Sequence, residues 1–140
     1  MKPALLTTVL VGLVGCVTEP VGDIYAIWSE VRGVVRTSSG VPVSAATVEL
    51  QLMYDGPAVG GEVTCQLGSS EEIVTTSTNQ SGEFSEILQA ESIFPPDCVH
   101  ASVFPPAGSG LSLAVDTVLV RWSLKKATAP VTDVEIALVP

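Results

Sequence analysis

Histidine is nearly absent from this sequence of 140 residues, and several motifs that commonly carry chemistry are missing with it. His100 is the only histidine, so a serine–histidine–acid triad would have to be built around it. No G-x-S-x-G nucleophile motif accompanies it, and no D-x-D-x-D-G loop is present to bind calcium. His100 follows Cys98 in an alternating strand pattern, which favours an ordinary strand position. We therefore predict no catalytic residue, no metal site and no cofactor.

Basic residues are also scarce. The chain has 6 Lys and Arg against 15 Asp and Glu, which gives a formal net charge of −9. An acidic surface repels phosphate backbones and anionic headgroups alike. The composition therefore disfavours nucleic acid as a partner and electrostatic docking on anionic lipid, so we expect acyl chains to provide any membrane attachment.

No hydrophobic run is long enough to span a bilayer as a helix, which needs about 20 residues. The longest uncharged apolar stretch runs from Ala4 to Gly15 and follows Lys2. A short apolar run behind a positive residue is typical of a secretory signal peptide. We predict that residues 1–15 are such a signal.

The end of this run, Leu13-Val14-Gly15-Cys16, resembles the lipobox of a bacterial lipoprotein. The resemblance implies cleavage after Gly15, a diacylglycerol thioether on Cys16 and a fatty acid such as palmitate on the new N-terminus. Two or more acyl chains hold a protein on a membrane far more firmly than one. Val17 follows where Asp would favour retention in the inner membrane, so the outer membrane is expected if the cell has one. An ordinary signal peptide with a chance cysteine is the alternative.

The two remaining cysteines, Cys65 and Cys98, form an even pair in an exported chain. Such a pair is usually a disulfide, with a metal pair or two free thiols as alternatives. Metal is disfavoured because no third and fourth ligand cluster nearby. We predict a disulfide between them.

The chain after the signal reads as short strands between turn signals. Aromatics make up only 5% of the residues, and valine and threonine are frequent, which is typical of β-structure. Alternation is clear in two segments, where we expect Val48, Leu50 and Leu52, and later Val134, Ile136 and Leu138, to face inward. We predict a lipidated tether over residues 16–27 and one all-β domain over 28–140, an antiparallel sandwich of about seven strands.

Three blocks of the chain resemble the carboxypeptidase regulatory-like domain, a transthyretin-like (prealbumin-like) sandwich. The first block is Val31-x-Gly33-x-Val35 followed by Gly40-x-Pro42-Val43-x-x-Ala46-x-Val48-x-Leu50. The second is Thr78-Asn79-Gln80-Ser81-Gly82-Glu83-Phe84, and the third, a weaker match, is Val99-x-Ala101-x-Val103. Asn79 stands where the family usually has Asp, and Ala45 where it commonly has Gly. The resemblance implies an accessory domain with no catalytic centre of its own.

Three aromatic residues are candidates for stacking against sugar rings, namely Tyr25, Trp28 and Trp122. Trp122 is in phase with Val118 and Val120, which favours packing in the core. The leading hypothesis is a lipid-anchored envelope protein whose non-catalytic sandwich serves as an interaction or structural module, with an envelope protein or polysaccharide as its candidate partner. The alternative is a carbohydrate-binding module that uses these aromatics.

Overall fold

A computed structural model describes residues 23–53, 65, 72–93 and 95–140. In these residues, two β-sheets pack face to face. The strands are β1 (Ala26–Thr37), β2 (Thr47–Met53), β3 (Ile73–Ser77), β4 (Glu83–Glu91), β5 (Cys98–Phe104), β6 (Ala114–Leu119) and β7 (Val131–Leu138). One sheet has the order β4-β1-β7 and the other β3-β2-β5-β6. The predicted all-β sandwich is confirmed. The signal segment and Cys16 lie outside the described residues.

One strand pair departs from the antiparallel arrangement that we predicted. β1 and β7 are parallel, with Gly33 opposite Val134, whereas every other pair among the described strands is antiparallel. The reason lies in the connection after β6, which crosses from the four-stranded sheet to the three-stranded one. It passes through a 3-10 turn at Lys126–Thr128 and enters β7 beside the first half of β1.

The core lies between the inner faces of the two sheets. The inward alternation predicted for β2 and β7 is confirmed, and β1 contributes Val31 and Val35 to the same cluster. Fully buried side chains from both sheets include Leu50, Leu88, Val99, Val103 and Leu138. Burial of apolar surface at about 25 cal/mol per Å² is the main stabilising term for such a cluster.

Gly33 makes room for an aromatic ring within the sheet. It lies directly opposite Phe84 on β4, and a Cβ at this position would overlap the Phe84 ring. The ring therefore lies against the backbone of β1 and is itself buried. Glycine at this position therefore permits a close approach to the strand backbone.

The first strand begins earlier than the predicted boundary between tether and domain. Ala26 and Ile27 belong to β1, and Ile27 is buried. The pairing with β4 extends even to Tyr25, whose carbonyl accepts a hydrogen bond from the Ser92 amide at 2.8 Å. The tether predicted to reach Ile27 therefore ends before Ala26, because this segment finds hydrogen-bond partners on β4.

Candidate functional site

Thr78, the first residue of the second motif block, is buried and holds two loops together. Its Oγ1 donates a hydrogen bond to the Val43 carbonyl at 2.7 Å and accepts one from the Ala46 amide at 2.9 Å. Both partners lie in the connection between β1 and β2, at sequence separations of 35 and 32 from Thr78. The hydroxyl is thus fully used in fixing the chain.

The residues that follow form an Asx-turn. Asn79 Oδ1 accepts hydrogen bonds from the amides of Ser81 at 2.8 Å and Glu83 at 2.9 Å. Gly82 has φ +75°, and a Cβ there would overlap the Val35 carbonyl oxygen. The block therefore determines the fold of this turn.

Ala45 occupies the left-handed region, with φ +57°, at the position where the resembling family commonly has glycine. A residue with a side chain loses about 1–2 kcal/mol of stability in this conformation, and glycine avoids that loss. Part of the gain is offset, because glycine also makes the unfolded chain more flexible. We expect Ala45→Gly to raise the free energy of unfolding by about 0.5–1 kcal/mol in urea titrations. Ala107→Gly, an exposed loop substitution, is the control. An Ala45→Gly variant less stable than the parent would contradict this prediction.

The three candidate aromatics do not form one surface. Trp28 and Ser123 exchange both backbone hydrogen bonds at 2.9 Å, so they face the same way across the pair. Trp122 precedes Ser123 and therefore points to the opposite face, where it packs against the core and donates its Nε1–H to the Pro96 carbonyl at 2.6 Å. The packing predicted for Trp122 is thereby found.

Tyr25 lies just before β1 and is 54% exposed, and its hydroxyl donates to Asp23 Oδ2 at 2.9 Å. Stacking on a sugar needs exposed aromatic rings on a common face. Trp28 is half-buried and Trp122 is occupied in the core on the opposite face, so the three rings together do not provide such a face.

His100 lies on the outer face of the four-stranded sheet, half-buried, as its strand position indicated. Its Nδ1 is 2.9 Å from Oγ1 of Thr117, the residue directly opposite on β6. Within the described ranges, no three His, Cys, Asp or Glu side chains come together in a way that would hold a metal ion. The imidazole thus links β5 to β6.

An open groove of about 880 Å³ lies across the three-stranded sheet, and it was not foreseen from the sequence. Beside it Arg32 forms an ion pair with Glu30, its Nε lying 2.7 Å from Oε1, and Ser85 donates to the same oxygen at 2.9 Å. These hydrogen bonds, that of Arg32 first, hold the pKa of Glu30 below its usual value. Both basic and acidic side chains line the groove, including Arg32, Arg36, Glu83, Asp133 and Glu135. Because both signs are present, the groove does not favour a ligand of either charge.

Exposed apolar side chains lie along the outer face of β6 and beside it: Val115 and Leu119 on β6, Leu113 just before it, and Phe104 at the end of β5, with Thr117 between Val115 and Leu119. Leu113, Val115 and Leu119 are 52%, 49% and 61% exposed. β6 is the outermost described strand of its sheet and pairs only with β5 there. Its residue pattern does not reveal this surface, because apolar residues on both faces of a strand usually indicate a buried one. We refer to it as the β6 apolar surface.

The predicted disulfide between Cys65 and Cys98 is present, with the two Cα atoms 5.8 Å apart. Cys98 is fully buried at the start of β5. The bond attaches the segment between β2 and β3 to the centre of the four-stranded sheet. Cys16, the predicted lipid site, has no described environment. Among the described residues, no helix combines the length and the apolar character needed to cross a membrane.

Known proteins show only distant similarity to this chain. No family model matches it, and no curated protein matches it. Among solved structures, 3-chlorocatechol 1,2-dioxygenase from Rhodococcus opacus is similar with a TM-score of 0.49 and 12% identity, over 84% of this chain and 62% of that one. A mutant of catechol 1,2-dioxygenase from Acinetobacter radioresistens gives 0.44 and 12%, over 80% and 52%. This chain spans less than two thirds of either enzyme, and at these values neither likeness bears on its activity.

Proposed function

We propose that this protein is a lipid-anchored, non-catalytic module of the bacterial cell envelope that presents its β-sandwich to a protein partner. The single observation that supports a protein partner is the β6 apolar surface. Contiguous exposed apolar residues on a soluble domain usually mark an interaction site. An outermost strand also offers backbone groups to which an extended partner segment can pair.

The anchor rests on the sequence around Cys16, whose flanking residues resemble a lipobox. The described fold is compatible with short tethering, because β1 begins at Ala26. Nine residues lie between Cys16 and Ala26 and reach at most about 30 Å when extended. A lipid on Cys16 would therefore hold the sandwich close to the headgroups.

The resemblance to carboxypeptidase regulatory-like domains is supported by what its motif residues do. Gly33, Thr78 and Gly82 each serve packing or turn geometry, and Ala45 adopts a backbone conformation that suits the family's glycine. These are the roles that an accessory sandwich requires. None of these motif residues serves to bind or activate a substrate. Their use in packing and turns supports a non-catalytic role.

A protein partner is favoured over a polysaccharide by the placement of the aromatics. Sugar-binding sandwiches use rings on one face. Here Trp28 and Trp122 lie on opposite faces of their strand pair, and the Trp122 indole is bonded to Pro96. The exposed aliphatic side chains of β6 instead suit the apolar side chains of a protein.

The anchor is tested by replacing Cys16 with serine and measuring palmitate labelling and membrane partitioning in cells. We expect both to be lost, because serine cannot accept the diacylglycerol thioether. A Cys65→Ala/Cys98→Ala variant is the matched control, since it removes the other two cysteines and keeps Cys16. A Cys16→Ser protein that remains labelled and membrane-bound would disprove the anchor.

The partner surface is tested by placing a photo-crosslinking amino acid at Val115 or Leu119 in living cells. Thr75 is the control, because it is exposed on β3, the edge strand at the other side of the same sheet. We expect a discrete crosslinked species from both β6 positions and none from Thr75. Identical adduct patterns from β6 and β3 would show that β6 has no special role.

A further inference from the structure

The connection between β6 and β7 is the most basic part of the chain. Arg121, Lys125 and Lys126, half of the 6 basic residues in the sequence, lie within it and are exposed. The only ion pair within the described ranges joins Arg32 to Glu30, so these three cations have no acidic partner there. Leu124 stands among them and is 63% exposed. We call residues 121–126 the basic loop.

The basic loop lies at the end of the sandwich where the chain from Cys16 enters. Ser123 is bonded through its backbone in both directions to Trp28, the third residue of β1. The amide of Glu30 then donates to the Pro130 carbonyl at 2.9 Å, which holds the end of the same connection against β1. The loop is therefore fixed beside the start of β1, close to the point of tethering.

The acidic residues near this end lie mostly on its other side. Glu91 lies on β4 opposite Ala26, so β1 separates it from the basic loop. Asp23 accepts a hydrogen bond from the Tyr25 hydroxyl. Asp97 lies closer, because its carbonyl accepts the amide of Val120. The net charge of −9 thus describes the molecule as a whole but not the side formed by residues 121–126.

We propose that the basic loop docks on the anionic headgroups of the membrane that holds Cys16, with Leu124 inserted between them. This inference rests on the proposed lipid anchor. Attraction of exposed cations to an anionic surface is worth about fivefold in population for each Lys or Arg. The nine-residue tether makes docking intramolecular, so a modest attraction is enough to orient the domain. Docking would orient the domain so that β1 starts near the bilayer and runs away from it. The β6 apolar surface would then stay accessible from the side.

The test uses the full-length lipidated protein, purified and placed in vesicles of phosphatidylethanolamine that contain anionic phosphatidylglycerol as the minor lipid. An environment-sensitive fluorophore is attached to the thiol of Leu124→Cys. This thiol is the one open to labelling, because Cys65 and Cys98 are joined in a disulfide and the proposed anchor acylates Cys16. We expect a blue shift of the emission that disappears in phosphatidylcholine vesicles and in high salt. A fluorophore at Val41→Cys, in the hairpin loop at the other end of β1, should stay in water.

Charge reversal separates the loop from general electrostatics. Lys125→Glu/Lys126→Glu should abolish the shift, whereas Arg36→Glu, near the far end of β1, should preserve it. Flotation with the vesicles reports on the anchor independently of the fluorophore. Protein that floats without a shift at Leu124 overturns the docking inference alone, and protein that does not float overturns the anchor and the docking together.

Discussion

Replacing Thr78 with valine is expected to lower the free energy of unfolding by about 2–4 kcal/mol, measured by urea denaturation. Valine has nearly the shape of threonine but no hydroxyl. The Val43 carbonyl and the Ala46 amide would each lose their bond to Thr78 Oγ1 in a buried place. An unsatisfied buried polar group costs about 1–3 kcal/mol, and here two are created at once.

Two further variants isolate the hydroxyl. Thr78→Ser keeps it and should retain most of the stability. Thr75→Val makes the same chemical change at an exposed position of β3 and should alter stability by less than about 0.5 kcal/mol. Equal effects of valine at positions 75 and 78 would refute the role assigned to the Thr78 hydroxyl.

Loss of the disulfide is the second large effect that we expect. The bond joins two cysteines at a sequence separation of 33. In the loop-entropy model, opening such a loop in the unfolded chain costs about 3–4 kcal/mol of stability. The free energy of unfolding of the reduced protein should fall by this amount relative to the oxidised protein.

Reduction is the cleaner experiment, because it leaves both side chains in place. Cys98 is fully buried, so Cys98→Ala also removes packed atoms and should be somewhat more destabilising than reduction. Cys65→Ala, at a half-buried position, should match the reduced protein more closely. Coincident unfolding curves of the oxidised and reduced protein would show that the bond does not stabilise the fold.

The alternation of side chains made the faces of the sheets predictable. Inward positions such as Leu50, Val103 and Ile136 follow from a period of two, and they are buried. The same period is shared by parallel and antiparallel strands, so it carried no information about the direction of β7 beside β1. The two hydrogen bonds of the Thr78 hydroxyl could not be predicted either, because their partners are distant in sequence and no periodic pattern marks them.

The region after β6 shows where an apolar pattern misleads. The phase shared by Val118, Val120 and Trp122 identified residues that do contact the core. Extended to Leu124, the same phase fails, because β6 ends at Leu119 and the chain then crosses to the other sheet. The basic loop lies in this region. It arises from where the strand stops, which depends on backbone pairing more than on hydropathy.

The parallel pairing of β1 with β7 also determines how the molecule would bear mechanical load. Both strands run from the end of the sandwich where β1 begins towards the opposite end, where Thr37 lies beside Leu138. A pull between the start of β1 and the end of β7 acts along the strands, so their backbone hydrogen bonds are loaded together in shear. Two strands pulled apart from one end would instead lose their bonds one after another. The sandwich should therefore resist extension between these two points.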